Sequence, residues 1–232
     1  MISRRSFLQG ISGAAGLLVT SVNGLDIIPE AHAAKPLVSI QEYSAAKGEP
    51  ILVDPVYSTT RNFVGKPLSG YDKPECLSNP AVIESLMKIN KRLQHREDLI
   101  LDLQLLIKDA YRPQEATDDM VHWAEQQPNP EYYLGKYIAR RSGHRLGNTV
   151  DLTLASCSGK EVWMGSYFDE FNQNAHFGTA REMTARDLPW GKEGYMVVDS
   201  VKPRQLRAIL RDEMKKEGFI PYALEWWHFT KK

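Results

Sequence analysis

The chain has 232 residues, of which 42% are hydrophobic and 25% are charged, in the proportions typical of a globular protein. Its 29 basic and 29 acidic residues cancel, and no basic run follows the first residues, so the pattern disfavours nucleic acid or another polyanion as a partner. No stretch approaches the roughly 20 consecutive apolar residues that span a bilayer, so no stable membrane span is expected.

The beginning of the chain has the pattern of an export signal. Arg4-Arg5 forms a twin-arginine pair, a weakly apolar stretch runs from Gly10 to Leu25, and Ala31-His32-Ala33 offers the small residues that a signal peptidase reads. We therefore predict a twin-arginine-type signal peptide at residues 1–33, recognised by export machinery before maturation, and a mature domain at residues 34–232. The protein is expected to be periplasmic or otherwise exported.

Strands and helices are predicted in a mixed order along the mature part. In chain order, the predicted elements are a strand at Ile51–Val53, a loop at Arg61–Gly70, a helix that begins at Asn79-Pro80, a strand at Leu101–Ile107, a helix from Pro113 to about Gln126, a strand at Val150–Leu154, a helix from Ser200 to Glu217 and a strand at Leu224–Phe229. Ser200 is the predicted N-cap of the last helix, and Gly218 ends it. This order is not a regular βαβα alternation, so it favours a single α+β domain with a central, mainly antiparallel sheet and flanking helices. No G-x-G-x-x-G or P-loop motif is present, so no nucleotide site is indicated.

The two cysteines, Cys76 and Cys157, are far apart in the sequence. Without a C-x-x-C pair they do not form a thiolate zinc site. In an oxidising compartment they could form a disulfide, but they could equally be separate thiols, because the sequence does not show whether their Cβ atoms meet.

Two short segments, SGHRLGNTVD and EWWH, contain the residue types that hold a catalytic metal. Catalytic zinc takes three protein ligands from histidine and carboxylate and leaves one position for water. His144, Asp151 and His228 provide that set, and Gly147 could turn the chain so that the first two face each other. We predict one zinc ion per chain at these three residues. The remaining histidines are interpreted as ordinary surface or core residues: His32, His95, His122 and His176.

Peptide hydrolysis at a zinc site also needs a base and a group that stabilises negative charge. Glu225 is close to the third ligand in sequence and is the predicted general base. Arg112 follows a predicted strand and could stabilise the charge that develops on the carbonyl oxygen. In a regular strand, Glu225 and His228 would point to opposite faces, so an irregularity is expected there, held by Trp226 and Trp227.

Taken together, these segments resemble the zinc D-Ala-D-Ala metallopeptidases, and in particular the VanX-type D-alanyl-D-alanine dipeptidases. The resemblance extends from about Ile51 to the C-terminus. The segments that carry it are Asn62–Gly65 with Gly70-Tyr71, Tyr111–Pro113, Ser142–His144, Gly165–Asp169 and Glu225–Phe229.

The resemblance implies a single domain with the Hedgehog/D-Ala-D-Ala-peptidase-like α+β fold and one zinc ion. It implies hydrolysis of the dipeptide D-alanyl-D-alanine to two D-alanines, with the ligand, base and arginine roles given above. It further implies that Ser142 and Asp169 receive the free ammonium group of the substrate. The vancomycin-resistance dipeptidases are cytoplasmic, so the export signal of this chain favours a role in cell-wall turnover.

Two other functions remain open on the sequence. The first is a zinc D,D- or L,D-carboxypeptidase that trims peptidoglycan stem peptides and leaves the N-terminal side of its substrate open. The second is a non-catalytic cell-wall or metal-binding module. Glu225 distinguishes this module from an enzyme, because zinc binding alone does not need it.

Overall fold

The computed structural model describes residues 36–98, 102–182, 194–198 and 200–232, which belong to one compact unit. The predicted signal peptide lies outside the described residues. Among the helices within these ranges, none has both the length and the apolar character needed to cross a bilayer.

Helices and strands alternate irregularly along the chain, as the sequence predicts. The α-helices of the described residues are α1 (Ile40–Ala46), α2 (Pro80–Gln94), α3 (Gln114–Glu125), α4 (Pro130–Tyr133) and α5 (Pro203–Lys216). The strands are β1 (Val38–Ser39), β2 (Leu52–Val53), β3 (Leu77–Ser78), β4 (Leu103–Asp109), β5 (Thr149–Ser156), β6 (Glu161–Val162), β7 (Tyr195–Met196), β8 (Phe219–Tyr222) and β9 (Glu225–Lys231). Short 3-10 helices lie at Val56–Ser58, Gly143–Leu146 and Gln173–Ala175.

The main sheet is built around the antiparallel pair β4–β5. β2 adds to β4 in parallel, and β1 and β3 form a small antiparallel pair elsewhere. The other edge of β5 is shared by two strands: β9 pairs with residues 149–151, and β6 pairs at Ala155. β8 then pairs with β9, and β7 extends β6 in parallel. Most of these pairings are antiparallel, so the predicted α+β fold is confirmed at this level.

The main core lies between this sheet and the helices α2 and α5. Alternate residues of β5, namely Val150, Leu152 and Leu154, are fully buried there with the apolar stripes of both helices. Full burial of each such side chain stabilises the fold by about 1.5–3 kcal/mol. Because neighbouring strand residues point to opposite faces, Asp151 and Thr153 point away from this core. The polar face of β5 is therefore free to form a site.

A second, smaller core packs residues of α3 against the loop that follows β2. It contains Tyr57, Leu68 and Met120, and Phe63 and Phe171 pack edge to face at its border with ring centroids 4.8 Å apart. Residues of this second core reach the same cavity as the polar residues of the sheet.

The element boundaries agree with the sequence to within a few residues, with one correction. Helix α5 begins at Pro203 with Lys202 as N-cap, and not at Ser200. Proline is well suited to the first helical position, and the Gln205 side chain accepts the Lys202 backbone N–H at 3.0 Å, which defines the start. Gly218 follows the helix with a φ of +78°, as expected for a helix stop.

The two cysteines do not form a disulfide in the structure. Cys76 is buried in the main core, whereas Cys157 is exposed. The question that the sequence left open is thus resolved in favour of two separate thiols.

Candidate metal centre and active site

The three predicted ligands converge on one point. His144 Nε2 lies 3.3 Å from Asp151 Oδ2 and 3.3 Å from His228 Nδ1, and His228 Nδ1 lies 2.9 Å from Asp151 Oδ1. Tetrahedral zinc with bonds of about 2.0–2.1 Å separates its ligand atoms by about 3.3 Å. Among the described residues, this is the one group of three or more metal-ligating side chains close enough together to hold an ion.

Local backbone structure places each ligand. His144 lies in the 3-10 helix Gly143–Leu146, and Gly147 ends this helix with a φ of +68° and donates its N–H to the His144 carbonyl at 3.0 Å. The positive φ favours glycine at this position, and a Cβ there would also displace the end of the Leu37 side chain. Asp151 and His228 are direct partners across the β5–β9 pair.

Hydrogen bonding gives His144 the tautomer of a metal ligand. Its Nδ1 lies 2.6 Å from the Ala110 carbonyl, to which it donates, so Nε2 keeps its lone pair. That lone pair faces the Asp151 carboxylate and the ring nitrogen of His228. Two ring nitrogens and a carboxylate that converge in this way are the donor set of a metal ion.

Electrostatics favours the ligand-competent forms of the other two groups. Burial by itself would raise the pKa of Asp151, but the neighbouring imidazoles of His144 and His228 hold it below its ordinary value. Burial lowers the pKa of His228, against the opposing effect of Asp151. A charged carboxylate and a neutral imidazole are the forms that bind zinc.

The strand irregularity predicted near Glu225 is present in β9. β8 pairs in register as far as Pro221 with Phe229, but its next residue, Tyr222, pairs with Glu225, so residues 226–228 have no partner on β8. The bulge brings Glu225 Oε2 to 3.7 Å from His228 Nδ1. As expected, Trp226 and Trp227 are buried beside it and pack edge to face with each other.

Glu225 has the environment of a general base. It is 6% exposed, and burial raises its pKa well above the ordinary value, with further contributions from the charges of Asp151 and Asp169. A carboxylate with a raised pKa holds a proton more strongly and so is a better base near neutral pH.

Arg112 lies between two carboxylates. Its Nε donates to Asp109 Oδ2 at 2.9 Å, its Nη2 donates to Asp151 Oδ2 at 3.1 Å, and its guanidinium lies 4.9 Å from the centre of the Tyr57 ring. These contacts fix its orientation beside the predicted metal position. Burial by itself would lower the pKa of Arg112, but neighbouring acidic groups, with Asp109 the largest contributor, raise it above its ordinary value.

Asp109 is a site residue that sequence reasoning missed. The register of β4 against β5 shifts between residues 107 and 109, and this irregularity places Asp109 beside the site. Its Oδ1 accepts from Tyr71 Oη at 2.6 Å, and its Oδ2 lies 3.4 Å from His144 Nδ1. It therefore orients both Arg112 and the candidate ligand His144. The available signal was the position of Asp109, two residues before the first residue of Tyr111-Arg112-Pro113.

Asp169 and Ser142 both line the cavity, but their surroundings differ. Both carboxylate oxygens of Asp169 accept from Tyr57 Oη, at 3.1 and 3.0 Å, and Asp169 has an unusual φ of +56°. Burial, with the charge of Asp151, raises its pKa well above the ordinary value. Ser142 Oγ accepts the His144 backbone N–H at 3.3 Å, so it caps the 3-10 helix that carries the ligand. Tyr57 is a second residue that sequence reasoning missed.

A cavity of about 260 Å³ joins these groups. The predicted residues that line it are Arg112, Ser142, Asp151, Asp169, Glu225 and His228. One side is bridged by a hydrogen bond of 2.7 Å from Tyr222 Oη to the Lys136 carbonyl. Tyr222 also packs against the ring of His228, with centroids 5.8 Å apart.

The other described histidines lie away from the ligand group. His95 and His122 contact residues of their own helices, at the Lys91 carbonyl and the Gln126 side chain. His176 Nε2 lies 3.1 Å from Tyr137 Oη. His32 lies outside the described residues.

Comparisons with known proteins agree with this geometry. The sequence model of the peptidase M15 family, described as D-ala-D-ala dipeptidase, matches residues 48–232. A D-alanyl-D-alanine dipeptidase of Streptomyces coelicolor is 34% identical over 193 residues, which cover 77% of this chain and 85% of that protein. Proteins of the same name from Enterococcus faecium and Escherichia coli K12 are 32% and 30% identical, over 76% and 75% of this chain and 84% and 75% of their own lengths.

Proposed function

Because this chain belongs to the peptidase M15 family of D-ala-D-ala dipeptidases, we propose that it hydrolyses D-alanyl-D-alanine to two molecules of D-alanine. One structural observation supports this most directly. His144, Asp151 and His228 converge with ligand spacing, and Glu225 lies 3.7 Å from one of them in a buried cavity. Without a bound cation, this buried group of imidazoles and carboxylates would be a costly arrangement.

We infer that the resident metal is zinc, held by His144, Asp151 and His228, one ion per chain. Two imidazoles and one carboxylate are a typical ligand set for catalytic zinc. When bound, zinc would lower the pKa of water towards 7 and polarise the scissile carbonyl.

The side chains around the ligands provide the proton transfer and charge stabilisation. Glu225 takes a proton from the attacking water and delivers it to the leaving amine, for which its raised pKa suits it. Arg112 stabilises the negative charge that develops on the carbonyl oxygen, since its orientation is fixed by Asp109 before substrate arrives.

Substrate recognition is assigned to Asp169 and Ser142. The Asp169 carboxylate, held by Tyr57, receives the free ammonium group of the dipeptide, and Ser142 assists from the opposite segment. A receptor for a free ammonium group favours a dipeptidase over a carboxypeptidase, whose substrate continues at that end.

We further propose that the protein is exported and acts on dipeptide released during cell-wall turnover. The proposal is supported by the twin-arginine pair and the Ala31-His32-Ala33 site at residues 1–33. We also assign the domain to the Hedgehog/D-Ala-D-Ala-peptidase-like fold, on the basis of its mixed α+β sheet and its ligand pattern.

The proposed function is tested with purified protein and the four stereoisomers of Ala-Ala, before and after chelation. We expect one zinc ion per chain, hydrolysis of the D,D isomer, and loss of activity on chelation that zinc restores. His144→Ala should lose the zinc, whereas the control His95→Ala should keep it.

A pentapeptide stem ending in D-Ala-D-Ala, assayed in parallel, distinguishes the alternatives. Preference for the stem over the dipeptide would replace the dipeptidase by a carboxypeptidase. Zinc binding without hydrolysis of either substrate would favour the non-catalytic module.

A further inference from the structure

Arg207 of helix α5 is a fully buried cation whose four described hydrogen bonds all go to neutral oxygens. Its Nε donates to the Met164 carbonyl at 2.6 Å, and its Nη1 donates to the His176 carbonyl at 2.7 Å. Its Nη2 donates to the Asn174 carbonyl at 2.8 Å and to Ser166 Oγ at 3.0 Å. A guanidinium with its fork of donors can hold several acceptors at once in this way.

Burying such a charge works against stability. Desolvation lowers the pKa of Arg207 to about 9, so the side chain is still charged at neutral pH and the desolvation is not avoided by loss of the proton. The four hydrogen bonds offset part of this cost, and they also tie the guanidinium to separate parts of the chain.

The acceptors of Arg207 lie at the two ends of one segment, residues 164–176. Met164 and Ser166 are at its beginning, and Asn174 and His176 are at its end. Asp169, the proposed ammonium receptor, lies between them with a φ of +56°. A non-glycine residue in this conformation is held there by its surroundings, and the anchored ends of the segment provide them.

Arg207 also contacts the segment that contains Glu225, the proposed base. Ser166 Oγ, which accepts from Arg207, also accepts from Trp226 Nε1 at 2.8 Å, and the guanidinium lies 5.4 Å from the centre of the Trp226 ring. Trp226 directly follows Glu225 in the bulge of β9. One side chain thus contacts both the Asp169 segment and the Glu225 segment.

We propose that Arg207 is a positioning residue that sets the placement of Asp169 relative to Glu225, and thereby the preference for substrates with a free ammonium group. The proposal rests on the proposed function. Arg207 itself does not line the cavity, so it acts through the residues that it holds.

The test compares Arg207→Lys with the wild-type full chain on D-Ala-D-Ala and on N-acetyl-D-Ala-D-Ala, which lacks the ammonium group. Lysine keeps the positive charge, but its single ammonium nitrogen cannot donate to acceptors at both ends of residues 164–176. We expect KM for D-Ala-D-Ala to rise about tenfold with a smaller change in kcat, because a displaced binding group weakens recognition. The preference for the free amine should fall by a similar factor, with zinc content unchanged. Arg204→Lys, at an exposed position of the same helix, is the matched control and should behave as wild type.

Ser166→Ala is the second variant, in case Arg207→Lys does not fold. It removes the acceptor that Arg207 shares with Trp226 and should reduce the free-amine preference in the same direction. An unchanged preference in a folded, zinc-loaded variant would overturn the proposal, and so would an equal loss on both substrates, which indicates a purely structural role. Absence of D-Ala-D-Ala hydrolysis by the wild-type chain is a different result, since it removes the proposed function itself.

Discussion

Glu225 illustrates how much a single residue depends on its surroundings. In an exposed position its carboxylate would be a weak base at neutral pH, since its ordinary pKa is about 4.3. Here burial raises the pKa, and the charges of Asp151 and Asp169 add to the effect. The protein therefore holds a carboxylate whose proton affinity suits general base catalysis.

Replacing Glu225 by glutamine tests this role, because the amide keeps the shape of the side chain but does not accept the proton. We expect kcat for D-Ala-D-Ala to fall by a factor of about 10²–10⁴, with zinc content unchanged. Metal analysis and steady-state kinetics on the same preparation measure both. Glu131→Gln, at an exposed position of α4, serves as control. Wild-type turnover in Glu225→Gln would remove the residue from the base role.

Single residues differ in how far the sequence predicts them. The candidate ligands and the candidate base could be predicted because zinc chemistry restricts the residue types, and the structure brings all four residues together. Tyr57 could not, because its hydrogen bond to Asp169 joins residues 112 positions apart and depends on the whole fold. Asp109 escaped prediction for a related reason, since a strand irregularity directs it to the site.

At the scale of elements, the turn between β8 and β9 closes one side of the cavity. Tyr222, at the end of β8, donates to the Lys136 carbonyl at 2.7 Å and packs against His228. The contact joins this turn to the segment after α4. We expect this wall of the cavity to limit the length of the peptide that fits.

Loss of this wall should change the length of substrate that is accepted. We expect Tyr222→Ala to raise the ratio of kcat/KM for a pentapeptide stem over that for D-Ala-D-Ala by about tenfold, which corresponds to about 1.4 kcal/mol. Tyr222→Phe, which removes only the hydroxyl, should have a smaller effect in the same direction. Ile220→Ala, at an exposed position of the same strand, is the control. An unchanged ratio in Tyr222→Ala would show that other residues limit the substrate.

Elements were predicted more reliably than the way in which they pair. An irregularity in β9 could be predicted because Glu225 and His228 would lie on opposite faces of a regular strand. The kind of irregularity depends on the register between β9 and β8, and the sequence does not determine that register. The start of α5 was placed too early, because Ser200 is a good cap in isolation whereas Pro203 and Gln205 determine the observed start. The preference of an isolated serine for the N-cap position was outweighed by the proline and the glutamine that follow it.

At the scale of the whole molecule, Lys108 joins three parts of the sheet on its polar side. The side chain of Lys108, on β4, is 6% exposed and donates to Asp54 after β2 at 2.9 Å and to Glu161 of β6 at 2.6 Å. Burial would lower the pKa of Lys108, but Glu161 and Asp54 raise it above its ordinary value. Burial would likewise raise the pKa of Asp54, but Arg61 and Lys108 lower it.

These pKa shifts predict how the stability contributed by Lys108 depends on pH. A raised lysine pKa stabilises the fold below the unfolded pKa of about 10.4, and the contribution is lost as pH rises through the folded pKa. The lowered pKa of Asp54 stabilises above an unfolded pKa of about 3.9, and that contribution is lost as pH falls. Lys108→Met should therefore destabilise by about 3 kcal/mol near neutral pH, and by less at both extremes.

Urea unfolding of the chelated protein at about pH 3.5, 7 and 11 measures the difference between wild type and Lys108→Met. Lys88→Met, at an exposed position of α2, should show no such dependence. A pH-independent difference would mean that packing of the Lys108 stem, and not its charge, stabilises the sheet.

The α+β class of the molecule could be predicted, but not its connections. The mixed order of elements follows from periodicity and cap residues, and it agrees with the structure. That one edge of β5 is divided between β6 and β9 depends on contacts between residues far apart in the sequence. This division nevertheless determines the site, because it places His228 directly opposite Asp151.

The position of β9 between β5 and β8 also has a consequence for biosynthesis. A ribosome releases the chain from its amino end, so Arg112, His144 and Asp151 emerge long before Glu225 and His228. Because β9 pairs with both β5 and β8, the sheet cannot join those two strands until β9 has been synthesised. A nascent or stalled chain that ends before residue 225 would lack both the proposed base and the proposed third ligand, so we expect unfinished chains to hydrolyse no dipeptide.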